Sequence, residues 1–174
     1  MNNRSVRHRH PAALGLSELI KQCQVQHGRA SGPGGQHRNK VQTAVTVRHR
    51  PTGVVGTGRE RRSQAQNLRV AVARLRVNLA LEVRCAVASN HQPSGVWQAH
   101  CIGGRVAVNV NHTDFPLVLA EALDVLASEH ADVGLSAEVL GCTPSQLVKL
   151  LRSQPRAVAW LNQQRQQMGL GPLR

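Results

Sequence analysis

Apolar and polar side chains alternate over residues 41–48, with Val41, Thr43, Val45 and Val47 set against Gln42, Ala44, Thr46 and Arg48. A period of two sends the sets to opposite faces of a sheet, which predicts a half-buried strand. Arg50-Pro51-Thr52-Gly53 then offers Pro and Gly where a tight turn accepts them. Val54-Val55 begins a return strand that Gly56-Thr57-Gly58 is expected to end, so the pair reads as a hairpin. Upstream, Leu14 to Cys23 reads as a short helix with Leu16, Leu19, Ile20 and Cys23 on one side, and Gln24 to Ala30 leads out of it as a strand. Downstream, Ser63-Gln64-Ala65-Gln66 has the form of a capping box, Ser at N-cap and Gln at N3. It opens a long helix to about Cys85, striped by Leu68, Val72, Leu75, Leu79 and Val83.

The pattern changes after residue 86. Gly, Pro, Ser, His and Gln crowd residues 87–104, which read as a connector. Val106, Val108 and Val110 alternate with Arg105, Ala107 and Asn109 as one more strand, and Phe115-Pro116 starts an apolar helix to about His130. Ala137, Leu140, Gly141, Leu147 and Leu150 then fall at the small, apolar, turn-glycine and apolar positions of a helix-turn-helix. Thr143-Pro144-Ser145-Gln146 begins its second helix with an N-cap Thr and an N1 Pro. A last helix runs from about Pro155 to Met168. The expected fold is α+β: a small sheet with a hairpin and a long packing helix, then a mostly helical C-terminal module. Its expected parts are a basic arm (1–13), the sheet-and-helix domain (14–86), the connector (87–104) and the helical module (105–174).

Charge sharpens this division. Residues 1–86 hold 16 Lys and Arg against three Asp and Glu, a net of +13; residues 87–174 hold six of each, a net of zero. The whole net charge therefore sits in the first half, which points to a polyanionic partner. Aromatic residues are scarce, with no Tyr and only Phe115, Trp97 and Trp160, so base stacking is not the expected grip. Arg62, Arg69 and Arg76, spaced by seven, are read as phosphate contacts because Glu partners four residues away are mostly missing. No apolar run reaches the roughly 18 residues of a membrane span. The Arg-rich start reads as a flexible arm, with an organelle presequence as the alternative. Cys23, Cys85, Cys101 and Cys142 form no C-x-x-C pair, consistent with reduced thiols. His91, His100, Cys101 and His112 match no metal-ligand spacing, so neither a metal nor a cofactor is expected.

The stretch Ser31-Gly32-Pro33-Gly34-Gly35-Gln36 can be neither helix nor central strand, and Arg29, Arg38 and Lys40 flank it. It lacks the Gly-Lys-Ser/Thr ending of a phosphate-binding P-loop. With Asn39-Lys40-Val41, His49-Arg50-Pro51-Thr52-Gly53, Glu60-Arg61-Arg62-Ser63-Gln64, Asn67 and the long helix in the same order, it resembles the catalytic domain of class I peptide release factors. In organisation it is most similar to their codon-independent ribosome-rescue relatives.

The resemblance implies a cytoplasmic, monomeric peptidyl-tRNA hydrolase that works on the ribosome, its loop entering the peptidyl transferase centre of the large subunit. It implies Gly34, Gly35 and Gln36 as the catalytic residues. Arg29, Ser31, Arg38, Asn39 and Lys40 would contact rRNA, together with the three helix arginines. A Gln amide does not titrate near neutrality, so Gln36 cannot be a general base; its backbone N–H is the credible donor to charge developing on oxygen. No stop-codon-reading tripeptide is evident, which favours codon-independent release. Rescue relatives usually end in a Lys- and Arg-rich tail, whereas residues 153–174 supply only Arg156, Arg165 and Arg174. Two other readings stay open: a non-catalytic large-subunit-binding factor and a helix-turn-helix nucleic-acid-binding regulator.

Overall fold

The computed structural model describes residues 10–28, 43–88 and 90–173. Its contacts gather Pro11–Val83 into one compact unit, and the chain from Arg84 onward belongs to a second. The break falls directly after the long helix. The stretch expected as a connector instead carries a helix and a hairpin.

In the first unit, a 3-10 turn at Pro11–Ala13 precedes α1 (Leu16–Lys21) and an antiparallel sheet. Strands β1 (Cys23–Gly28), β2 (Ala44–His49) and β3 (Val55–Gly58) lie in the order β1-β2-β3. The alternation read at 45–48 holds in β2, where Val45 and Val47 are wholly buried. The hairpin between β2 and β3 closes through His49 N–H to Val54 O (2.9 Å) and Gly53 N–H to His49 O (2.8 Å). Gly53 sits at φ +75°, a conformation costly for residues with a Cβ. His49 itself is buried, with Nδ1 2.7 Å from Thr52 Oγ1 and Nε2 2.9 Å from Gln22 Oε1. Arg50 donates to the carbonyls of Lys21 and Cys23.

The long helix α2 (Gln64–Glu82) packs across this sheet, burying Ala71, Val72, Leu75 and Leu79. Leu68 and Val83, expected on the same stripe, are only half-buried. Ser63 occupies the N-cap but makes no side-chain capping bond, so the capping box does not form. The two glycines expected to end β3 lie within it, under the helix. A Cβ on Gly56 would meet Ala71 O at 2.1 Å and Leu75 N at 2.4 Å; one on Gly58 would meet Asn67 O at 2.2 Å. These are backbone atoms that cannot swing aside, so β3 and α2 touch main chain to main chain only because these positions lack side chains.

In the second unit, α3 (Gly95–His100) runs into a two-strand hairpin, β4 (Cys101–Ile102) and β5 (Arg105–Val106), turned by Gly103 and Gly104 at positive φ. The valine alternation beyond Val106 is not strand. Buried Trp97 donates through Nε1 to Leu140 O (2.7 Å). The apolar helix α4 (Phe115–Ser128) buries Phe115, Leu119, Leu123 and Leu126, and α5 (Val133–Val139), α6 (Pro144–Arg152) and α7 (Pro155–Gln167) follow. As the sequence suggests, Gly141 turns α5 into α6 at φ +64°, and Thr143 Oγ1 caps α6 by accepting from Gln146 N–H (3.3 Å). Arg84 lies with its guanidinium 4.7 Å from the Trp160 ring centroid and 3.7 Å from Asp124 Oδ1. All four cysteines are free thiols, and only Cys23 is fully buried. Among the described residues, no helix is long and apolar enough to cross a membrane.

Candidate functional site

Strand pairing fixes where the glycine-rich stretch is rooted. Gly28 pairs with Ala44 as the last described rung of β1 and β2, so this end of the sheet is where the glycine-rich stretch joins it in sequence. Val45 pairs with Gly58 one residue further in, which brings the end of β3 and the turn at 59–63 to the same end of the sheet.

Asn67, in the first turns of α2, ties these pieces together. Its side chain is fully buried and makes three hydrogen bonds. Nδ2 donates to Thr43 O (2.6 Å) and Arg61 O (2.9 Å), while Oδ1 accepts from Arg61 N–H (2.9 Å). Thr43 is the first described residue after the glycine stretch, so a single amide fixes the root of that stretch to the arginine turn and to the helix. In the sequence Asn67 stands out only as part of the family pattern. A polar residue amid Leu68, Ala71 and Val72 was the available signal.

The turn beside this root is strongly positive. Arg59, Arg61 and Arg62 are exposed, and none forms an ion pair with another described residue. Glu60 is its one acid and is already engaged. Its Oε2 accepts from Arg59 N–H (2.9 Å), and Arg74 pairs with Oε1 while also donating to Thr57 O (2.7 Å). These bonds, the Arg59 amide first, hold the Glu60 carboxyl at about 2, below the usual carboxylate range.

The three arginines spaced by seven take different places. Arg62 precedes the helix and is exposed, and Arg69 is an exposed residue of α2. Arg76 is part-buried and gives Nη1 to Ala12 O (2.9 Å) and Nη2 to Leu14 O (2.7 Å), a brace between helix and N-terminal turn. Burial lowers its pKa. The remaining expected site residues, Arg29, Ser31, Gly34, Gly35, Gln36, Arg38, Asn39 and Lys40, lie outside the described residues, as do positions 1–9 of the basic arm. The block at 49–53 is at the opposite end of the sheet, where Cys23 pairs with His49, and its bonds are internal. Of the four residues considered as metal ligands, His91 instead meets Glu121 Oε1 at 3.1 Å, and Cys101 Sγ donates to Gly141 O at 3.6 Å.

The family model described as the RF-1 domain matches residues 19–104. That stretch, just under half of the chain, is similar to the RF-1 domain of peptide chain release factors. It takes in the glycine stretch, its root and the arginine turn. Among similar proteins, peptide chain release factor 1 of Acidiphilium cryptum (strain JF-5) is 48% identical over 61 residues, 35% of this chain and 17% of its own length. The mitochondrial peptide chain release factor 1-like protein of Rattus norvegicus is 41% identical over 69 residues, 40% of this chain and 18% of its own. Peptide chain release factor 2 of Helicobacter pylori (strain Shi470) is 38% identical over 89 residues, 49% of this chain and 24% of its own. The matched stretch thus spans a quarter or less of each relative's length.

Proposed function

We propose that this protein hydrolyses the ester between nascent peptide and tRNA on the ribosome, without reading a codon. The observation carrying this reading is that the matched stretch contains Gly34-Gly35-Gln36 in the segment between Gly28 and Thr43, and that Asn67 clamps Thr43 beside an exposed arginine turn. Ester hydrolysis needs a held water and a donor for the charge developing on oxygen. The Gln36 backbone N–H supplies that donor to the transition-state or leaving 3′-oxygen. Gly34 and Gly35 permit the twist that aims it, and the Gln36 side chain shapes a cavity that admits water and rejects larger nucleophiles. Arg29, Ser31, Arg38, Asn39, Lys40, Arg62 and Arg69 hold rRNA of the large subunit. The ribosome aligns the substrate, so the protein acts as a soluble cytoplasmic monomer with no cofactor. Codon-independent action is preferred because the matched stretch runs directly into a small, mostly helical unit from Arg84 onward.

The test is peptide release from ribosomes stalled without a stop codon. Wild-type protein releases peptide, Gln36→Pro, which removes the N–H, abolishes release, and Gln36→Ala retains part of it. Equal activity in all three overturns the mechanism. Salt-sensitive ribosome binding without any release supports instead a large-subunit-binding factor. The α5–α6 hairpin favours one further reading, a helix-turn-helix regulator, which requires duplex DNA binding that survives deletion of residues 30–40.

A further inference from the structure

We propose that His100, His112 and Asp114 form a binding site for a divalent first-row metal ion of the zinc class. It would join the end of α3 to the start of α4. His100 comes from the end of α3 and His112 and Asp114 from the turn before α4, and one candidate ligand atom from each lies within 4.8 Å of the other two. Asp114 Oδ2 is 3.0 Å from His100 Nε2 and 3.7 Å from His112 Nδ1. Two ligands on a tetrahedral zinc-class ion stand about 3.3 Å apart, between these two values. Two imidazoles on such an ion have centroids about 5 Å apart, and those of His100 and His112 are 5.0 Å apart with planes at 72°.

Two further contacts suit a metal rather than a plain ion pair. Asp114 is the N-cap of α4, where Asp ordinarily accepts a bond from its own helix, yet it makes no side-chain capping bond and turns to the histidines. His100 Nδ1 lies 3.3 Å from Ala107 O, a partner for an Nδ1–H that would leave the Nε2 lone pair to a ligand. His112 Nδ1 accepts from the exposed Asp114 N–H (3.1 Å), a bond that water replaces when the ion takes that nitrogen. With half-exposed His112 at the mouth, water completes the coordination.

The test titrates the full chain with Co2+, read by visible d–d absorption, and with Zn2+ in competition with a chelating dye. One equivalent should bind, and His112→Ala and Asp114→Asn should each weaken it at least tenfold, whereas His91→Ala should leave it unchanged. Zn2+ should also move the 15N resonances of the His100 and His112 side chains. If His112→Ala binds as tightly as wild type, or the 15N shifts show His100 doubly protonated and indifferent to Zn2+, the pair is an imidazolium–carboxylate bridge and the proposal fails. His112→Ala removes a half-exposed ring, and its thermal transition in metal-free buffer shows whether the variant is folded.

Discussion

Replacing Asn67 by Leu keeps the side-chain volume and removes every polar atom. In the folded chain this deletes two donated bonds and one accepted bond, and takes from half-buried Thr43 O the amide that holds it. A net value of about 1 kcal/mol for each of the three bonds gives a loss of about 2–4 kcal/mol. The Arg61 groups lie in an exposed turn and recover water, which keeps the figure from rising further. Denaturant unfolding measures the loss, and hydrogen exchange at the Arg61 amide locates it: that N–H should lose its protection while amides of the 49–54 turn keep theirs. At a temperature where the variant stays folded, peptide release should still fall by about tenfold, because the glycine stretch is no longer held at Thr43. A loss below 1 kcal/mol with unchanged Arg61 exchange would show that Asn67 does not fix the root. A normal release rate in a folded variant would show that the root does not matter to catalysis.

Gly56→Ala drives a methyl into Ala71 O and Leu75 N, and should cost about 3 kcal/mol or more by overpacking, read in the same unfolding experiment. Arg76→Ala should destabilise by about 1–3 kcal/mol through its two carbonyl partners, whereas Arg69→Ala should leave stability within about 0.5 kcal/mol and reduce the salt dependence of ribosome binding by about one charge. Burial lowers the pKa of His49 below its ordinary 6.5, so the unfolded chain takes up the proton first as pH falls. Its contribution to stability is therefore full above 6.5 and is lost as pH falls from there through the folded value; an unfolding series across that range should lose this slope in His49→Gln.

The elements with strong periodicity were legible from sequence: the β2 alternation, the long helix, the apolar α4, and the glycine turn and Thr143 cap of the helix-turn-helix. What escaped depends on contacts between distant parts of the chain. Gly56-Thr57-Gly58 looks like a terminator because glycine weakens a strand locally, and only the approach of Ala71 and Leu75 makes those glycines necessary. Residues 87–104 looked like a connector because they are polar and short of apolar pattern. Yet a single Trp97 buried against Leu140 anchors a helix there. The arginine spacing promised one binding face, but Arg62 precedes the helix and Arg76 is spent on Ala12 and Leu14. The histidines alone show no recognisable ligand spacing, because the cluster they join is completed by a carboxylate, Asp114.

A catalytic main-chain amide imposes a demand that apolar packing meets poorly. Hydrophobic contacts are non-directional and tolerate slips of a few tenths of an ångström, whereas a donor aimed at a transition-state oxygen loses its effect when displaced by about 1 Å. At the root of the glycine stretch this chain uses directional contacts instead. Asn67 fixes Thr43 O by a hydrogen bond, and Gly58 lets the end of β3 rest on the Asn67 carbonyl with no side chain between. The two devices meet on one residue of α2, so the helix that supplies the core also sets the register of the strand end from which the glycine stretch springs. On this reading, core substitutions such as Leu75→Ala or Leu79→Ala, well along the helix from Asn67, should lower stability while the folded fraction keeps its release rate. Substitutions at Asn67 and Gly58 should change both. If all four variants lost activity only in proportion to the protein unfolded, the root would be ordinary core, and placement of the amide would have to come from the ribosome alone.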